Sequence, residues 1–230
     1  MIDKLQVKNR QEVQNRLPEI EHIDGQTRIE VERAFVRDIP PEFWIVRASE
    51  NHHAPDERGL GGTWLHTKRV FFAFTVLEST FRELGTITSY ESNCARAACL
   101  LHDGFKYGRY PELVDTDETD GHEYANGVLE KIPSHTQTNH DVLMADYVRS
   151  ETNLPEEVAH AIECHGGSTS WGSHDGPSPD NDMTLAVHLA DLIASNSEYR
   201  LPVLDPHSAL EHNIDDLPSV ESKDLSTSDS

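Results

Sequence analysis

Apolar residues recur at helical spacing across residues 63–84, and this pattern constrains the fold more than any other feature of the chain. The apolar positions there are Trp64, Leu65, Val70, Phe71, Phe74, Leu77 and Phe81. This spacing predicts a largely buried helix. Similar patterns predict helices over residues 2–17, 27–37, 91–103, 121–129, 138–150, 155–164 and 183–199. Because no segment has a convincing strand pattern, we expect an all-α fold, a bundle of about seven helices.

The chain divides into three parts by composition. We expect residues 1–40 to form two helices that cover the core and residues 41–199 to form the main helical domain. Residues 200–230 are acidic and rich in serine, and we expect them to be a flexible tail. In the main domain, the paired Gly61 and Gly62 permit a close approach of backbone just before the helix at 63–84. The three cysteines have no metal-type spacing, so we expect them to be reduced core residues. The absence of a long apolar run and of a signal-peptide pattern favours a cytoplasmic protein that does not enter a membrane.

The chain has 41 acidic and 19 basic residues, a net charge of −22. A chain this negative repels a nucleic-acid backbone at ordinary ionic strength, which disfavours but does not exclude a nucleic-acid partner. Lysine is rare, with six residues against thirteen arginines, and the acidic residues are spread along the chain. This pattern favours a halophilic protein whose surface is adapted to high salt. The alternative is an acidic mesophilic protein without such an adaptation.

Several histidines and aspartates lie at predicted helix ends or on apolar helices, where ionisable side chains need a partner. His102 and Asp103 follow the apolar run 99–101, and Asp191 lies in an apolar helical segment. Imidazole nitrogen and carboxylate oxygen suit a divalent transition metal such as Mn, Fe, Co, Ni or Zn. Two ligands are too few for any of these ions. The further candidates are His66, His122 and His165.

Not every histidine is a candidate ligand. His140 and Asp141 form a second doublet, but it falls in a polar turn before a predicted helix, so we expect it to cap that helix. His188 precedes Asp191 by one turn, and we expect it to orient that aspartate.

The order of the candidate ligands resembles the HD superfamily of metal-dependent phosphohydrolases over residues 41–198. His66 matches the first histidine of that family, and His102-Asp103 matches the doublet that gives the family its name. Asp191 matches the last aspartate, and Lys106 the lysine that often follows the doublet by three residues. Residues 48–66 also resemble the entry to the HD domain of certain 3′-to-5′ exoribonucleases and of archaeal and phage HD proteins. Those exoribonucleases place an OB-fold before this domain, whereas the residues here that precede it are predicted to be helical.

The resemblance implies a site for one or two ions. His66, His102, Asp103 and Asp191 would hold the first, and Asp103 would bridge to His122 and His165 if a second is present. Some two-metal members carry a His-His pair where this chain has His165 followed by Gly166, which leaves the number of ions open.

Other residues are candidates for contact with substrate. Asp103 and Lys106 are the expected catalytic residues, and Lys106 and Arg69 would hold phosphate; the alternatives are a solvated lysine and a structural arginine. His53 would contact substrate or metal, or fix its loop by a hydrogen bond.

The expected activity is hydrolysis of a phosphomonoester of a nucleotide or a related small molecule, through attack of metal-bound water. The same site on a diester would make a phosphodiesterase or 3′-to-5′ nuclease. A regulatory protein with a non-catalytic metal site is the third reading.

Overall fold

The computed structural model describes residues 6–44, 46, 48, 53–58, 61–106, 140–167 and 176–196. Over these residues the chain forms seven α-helices and three short 3-10 helices, with no strand, which confirms the all-α prediction. The α-helices are α1 (Arg10–Arg16), α2 (Gly25–Arg37), α3 (Gly62–Glu83), α4 (Ser89–Leu101), α5 (His140–Glu151), α6 (Glu156–Cys164) and α7 (Asp182–Ser195). The 3-10 helices are Pro18–His22, Pro41–Trp44 and Pro55–Arg58. The helix predicted over residues 121–129 lies outside the described residues.

Capping side chains set where several helices begin. Asn9 accepts a hydrogen bond from the amide of Glu12, so α1 begins at Arg10 and residues 6–9 of the predicted helix over 2–17 are not helical. Thr88 and Glu91 form a capping box before α4, and Asn181 forms the equivalent box before α7. These polar caps satisfy amide groups that the first helical turn leaves without a partner.

Helix α4 lies at the centre of the fold. It packs against α2, α3, α6 and α7, while α3 also packs along α7 and α5 along α6. Its residues Ala97, Ala98, Leu100 and Leu101 are completely buried. One hydrophobic cluster joins them to residues of α1 and α2, so the N-terminal helices share the core of the chain. The end of α4 therefore carries the next two residues, His102 and Asp103, into the protein interior.

Two local predictions are confirmed. Cys94, Cys99 and Cys164 are buried free thiols. Gly61 has a left-handed backbone with φ 76°, and a Cβ at Gly62 would lie 1.7 Å from the carbonyl oxygen of Glu57. The glycine pair thus allows the turn Pro55–Arg58 to contact the beginning of α3.

Among the described residues, no helix combines the length and the apolar character that a membrane crossing requires. The cytoplasmic location, the flexible tail and the domain boundaries at residues 40 and 199 stay predictions.

Candidate metal centre

Three helices bring four of the predicted ligands together. His66 lies near the start of α3, His102 follows the end of α4, and Asp191 lies within α7. Nε2 of His66 lies 2.9 Å from Oδ1 of Asp191 and 4.0 Å from Oδ2 of Asp103. Nε2 of His102 lies 3.7 Å from Oδ2 of Asp103 and 4.0 Å from Oδ1 of Asp191. The nitrogen and oxygen atoms of these four side chains that could bind a metal therefore point toward one another.

The separations between these donors fit a shared divalent ion. Two donors that each lie about 2.1 Å from one ion are roughly 3 to 4.2 Å apart, depending on the angle between them. In addition, Nε2 of His102 is buried and makes no hydrogen bond to any of the described residues. A buried polar atom without a partner costs free energy. A cation at this point would satisfy it, so the donor set fits the metal that the resemblance implies.

Backbone carbonyl groups fix the orientation of two histidines. Nδ1 of His102 donates to the carbonyl oxygen of Cys99 at 2.8 Å, and Nδ1 of His165 donates to that of Ile162 at 2.6 Å. Each carbonyl lies three residues earlier, in the last turn of its helix. With the proton on Nδ1, the lone pair lies on Nε2, which is the form that binds a metal. His102, Asp103 and His165 each offer a donor atom to a second possible metal cluster.

Burial and neighbouring charges set the protonation of the centre. Burial lowers the pKa of His102 to about 3 and also lowers that of His165, so both imidazoles are neutral. Burial also acts to lower the pKa of His66, but its contacts with Asp191 and Glu57 outweigh this effect and raise it to about 9. Burial acts to raise the pKa of Asp103, yet Lys106 and nearby imidazoles hold it well below its ordinary value. The centre therefore presents ionised carboxylates to a cation.

Asp103 faces two groups of side chains with its two oxygens. Oδ2 accepts from Nζ of Lys106 at 2.6 Å and also faces His66 and His102, while Oδ1 lies 3.0 Å from Nε2 of His140. The expected capping role of His140 is wrong, because its imidazole is buried against Asp103; Asp141 does contact the backbone, at the amide of Val142. His140 is a residue of the centre that the sequence analysis did not include among the candidate ligands.

A sequence signal for His140 does exist. His140, Met144, Tyr147 and Val148 are all buried, and their spacing places them on one face of α5. The histidine therefore belongs to the apolar stripe of its helix.

The other predicted substrate-binding residues lie beside the centre. The His53 ring meets the His66 ring edge to face at 4.4 Å between centroids, and Nδ1 of His53 lies 2.9 Å from Oε2 of Glu57. Arg69 is buried, and its guanidinium contacts Asp56 and Glu57. Contact of either residue with substrate stays a prediction, and His122 lies outside the described residues.

His188 donates to the carbonyl oxygen of His165, 2.7 Å away, and so supports the turn that carries His165.

A helical bundle that directs histidines and aspartates to one point is typical of a class of metal-binding helical proteins. A comparison with models of protein families identifies the family. The model of the HD domain matches residues 63–195, which is more than half of the chain. The chain belongs to the HD-domain family, a superfamily of metal-dependent phosphohydrolases. Searches of curated proteins and of solved structures found no match.

Proposed function

We propose that this protein is a metal-dependent phosphohydrolase that removes phosphate from a phosphomonoester of a nucleotide or a related small molecule. The observation that carries the proposal is the position of Asp103. One of its oxygens faces His66, His102 and Lys106, and the other faces His140. Asp103 can therefore act as a ligand of a metal ion and also orient Lys106, whose positive charge suits it to bind phosphate.

In this proposal the chain provides two groups of ligands around Asp103. His66, His102, Asp103 and Asp191 would hold the first divalent ion. His140 and His165, with His122 as the resemblance implies, would hold a second ion. A divalent ion at such a site lowers the pKa of water and polarises a phosphoryl oxygen.

Lys106 supplies the charge for the phosphoryl group. Its Nζ is 2.6 Å from Oδ2 of Asp103, and its side chain is 16% exposed, so it can reach a substrate without leaving the carboxylate. Phosphoryl transfer depends mainly on position and on compensation of charge at the equatorial oxygens. Asp103 therefore orients Lys106, and Lys106 neutralises one phosphoryl oxygen.

A substrate screen tests the proposal. The protein is incubated with Mn²⁺, Co²⁺ or Ni²⁺ and a panel of nucleoside monophosphates and sugar phosphates, and free phosphate is measured. Cyclic nucleotides, an RNA oligonucleotide and bis-p-nitrophenyl phosphate are tested in parallel. Each assay is run at low and at high KCl, because salt screens the repulsion between a chain of charge −22 and an anionic substrate.

We expect free phosphate from at least one monoester and none from the Asp103→Asn variant. The matched control is Asp180→Asn, since Asp180 is an exposed partner of His160. Cleavage of the diesters alone would instead indicate a phosphodiesterase or nuclease. A protein that binds metal but hydrolyses none of these compounds would favour the regulatory alternative.

A further inference from the structure

A buried carboxylate lies directly behind the metal centre. Glu57, in the turn Pro55–Arg58, has no exposed surface. Its Oε2 lies 2.9 Å from Nδ1 of His53 and 3.5 Å from Nδ1 of His66, while its Oε1 accepts from Arg69 at 2.6 Å. One carboxylate thus lies between two imidazoles and a guanidinium. It also reaches the nitrogen of His66 that faces away from Asp103 and Asp191.

The backbone holds this carboxylate in place. The carbonyl oxygen of Glu57 accepts from the amide of Ala48 at 2.8 Å, and the Glu57 amide donates to the carbonyl of Ala54 at 2.9 Å. A side chain at Gly62 would collide with the same Glu57 carbonyl. The turn is therefore fitted against the start of α3, four residues before His66.

His66 needs an acceptor that its own helix does not offer. His102 and His165 lie at helix C-terminal ends, where each Nδ1 donates to a carbonyl three residues back. His66 lies near the N-terminal end of α3, where carbonyl groups serve the helix itself. Its Nδ1 is buried and has no closer hydrogen-bond partner among the described residues. When Nε2 binds an ion, the remaining proton lies on Nδ1. Oε2 of Glu57 is placed to accept a hydrogen bond from that N–H.

We propose that Glu57 is a positioning residue of the metal centre, which accepts a hydrogen bond from Nδ1–H of His66 and so directs Nε2 toward the ion. This inference rests on the metal site of the proposed function. Carboxylate partners of this kind fix the ring orientation and raise the basicity of a ligating histidine. Arg69 holds the other oxygen of Glu57 and balances its charge in the interior. We expect the Glu57–His66 contact to shorten below its present 3.5 Å when metal binds.

His53, Glu57 and His66 could in principle hold an ion themselves. Two contacts oppose that arrangement. The guanidinium of Arg69 already occupies one oxygen of Glu57, and Nε2 of His66 faces Asp191 at 2.9 Å. A second cation beside a buried guanidinium would be repelled.

The test is Co²⁺ binding to the Glu57→Gln variant. A Gln side chain replaces one carboxylate oxygen with an amide N–H₂, which must face either Arg69 or the two histidines, all of which are donors. Glu78→Gln is the matched control. Glu78, on α3, is also a buried carboxylate, and its partner Arg96 lies outside the centre. Both variants lose a buried ion pair. Only one of them touches a predicted ligand.

We expect Glu57→Gln to weaken Co²⁺ binding about 10- to 100-fold, to alter the visible spectrum of bound Co²⁺ and to reduce the rise in Tm that Co²⁺ produces. Glu78→Gln should bind Co²⁺ as the wild type does. Equal affinity and an identical spectrum in Glu57→Gln would overturn the role of Glu57 and leave the proposed function intact. If the wild type and Glu78→Gln also fail to bind Co²⁺, the proposed metal centre itself is wrong.

A measurement on the wild type keeps the inference testable if Glu57→Gln does not fold. Histidine ¹H–¹⁵N spectra of the Zn²⁺-loaded protein report which ring nitrogen of His66 carries the proton. We expect a proton on Nδ1 that exchanges slowly with solvent, as a buried hydrogen bond to Glu57 requires. A proton on Nε2 would overturn the inference.

Discussion

Nε2 of His140 lies 3.0 Å from Oδ1 of Asp103, while Nζ of Lys106 lies 2.6 Å from the other oxygen, Oδ2. His140 is the first residue of helix α5, and its imidazole is buried. The His140 and His165 rings lie 5.4 Å apart, which places both beside Asp103. The pair gives Asp103 a second set of neighbours.

The first prediction concerns the second ion. His140→Ala removes the imidazole that faces Oδ1 of Asp103, so binding of the second ion should weaken at least about 10-fold while the first ion stays bound. Calorimetric titration with Mn²⁺ measures both steps. His160→Ala, at a histidine that pairs with Asp180, should leave the titration unchanged. A His140→Ala isotherm equal to that of the wild type would contradict a second ion at this position.

The second prediction separates catalysis from metal binding. Lys106→Gln removes the cation 2.6 Å from Asp103, so kcat/KM for a phosphomonoester should fall about 100-fold. Metal content should stay that of the wild type, because Lys106 carries no ligand atom for a cation. Steady-state kinetics on the best substrate of the screen, together with elemental analysis, give both quantities. Loss of metal along with activity would show that the lysine acts only by supporting Asp103.

The third prediction concerns the glycine that lies against Glu57. Gly62→Ala places a Cβ 1.7 Å from the Glu57 carbonyl oxygen and 2.7 Å from the Ala48 amide nitrogen, so backbone must move. We expect a loss of about 3 kcal/mol in the free energy of unfolding, together with weaker metal binding. Gly85→Ala is the control: no atom of the described residues lies within 4 Å of the added Cβ, and its φ of 72° opposes a side chain at about 1–2 kcal/mol. Urea unfolding compares the two variants, and a smaller loss for Gly62→Ala than for Gly85→Ala would be inconsistent with this contact.

The fourth prediction concerns stability far from the centre. Glu32 is completely buried, and it contacts Arg10, Arg28 and Gln14. Burial acts to raise the pKa of Glu32, but these hydrogen bonds outweigh it and lower the pKa below its ordinary 4.5. A lowered pKa stabilises the fold above pH 4.5, and this contribution is lost as the pH falls toward the pKa of the folded state.

The matching variant is Glu32→Gln. It should reduce the free energy of unfolding by about 1–3 kcal/mol at neutral pH, and by less at acidic pH where the wild type has lost part of the same contribution. Urea unfolding of the wild type and the variant at neutral and at acidic pH measures the difference in the free energy of unfolding. A difference between the two proteins that grows as the pH falls would contradict the assigned protonation.

The helices could be predicted from the sequence because their signals are local. Helix α3, predicted over residues 63–84, spans Gly62–Glu83, and the prediction over 91–103 corresponds to Ser89–Leu101. Apolar periodicity locates a helix, and caps such as Thr88 set its first residue. The prediction over residues 2–17 was too long at its start because Asn9 caps the helix there. Charged residues before Asn9 carry no periodic signal that would mark this boundary.

The centre could be predicted only in part. His66, His102, Asp103 and Asp191 were recognisable from their order and apolar setting, and the structure brings them together. Which further side chains face them depends on packing between distant segments. Glu57 lies in a short polar turn with no periodic pattern, and only the close fit of that turn at Gly62 places it behind His66. For Arg69, the sequence could not reveal that Asp56 and Glu57 contact its guanidinium.

The metal content of the Asp191→Asn variant tests the central claim most directly. Asp191 comes from α7, far along the chain from His66 and His102, and its Oδ1 faces both histidines. Wild type and variant are loaded with Mn²⁺, dialysed and analysed for metal per chain, with Asp180→Asn as the control at an exposed aspartate. We predict at least one retained ion in the wild type and the control, and loss of that ion in Asp191→Asn. Equal metal in all three proteins would contradict a centre formed by these helices.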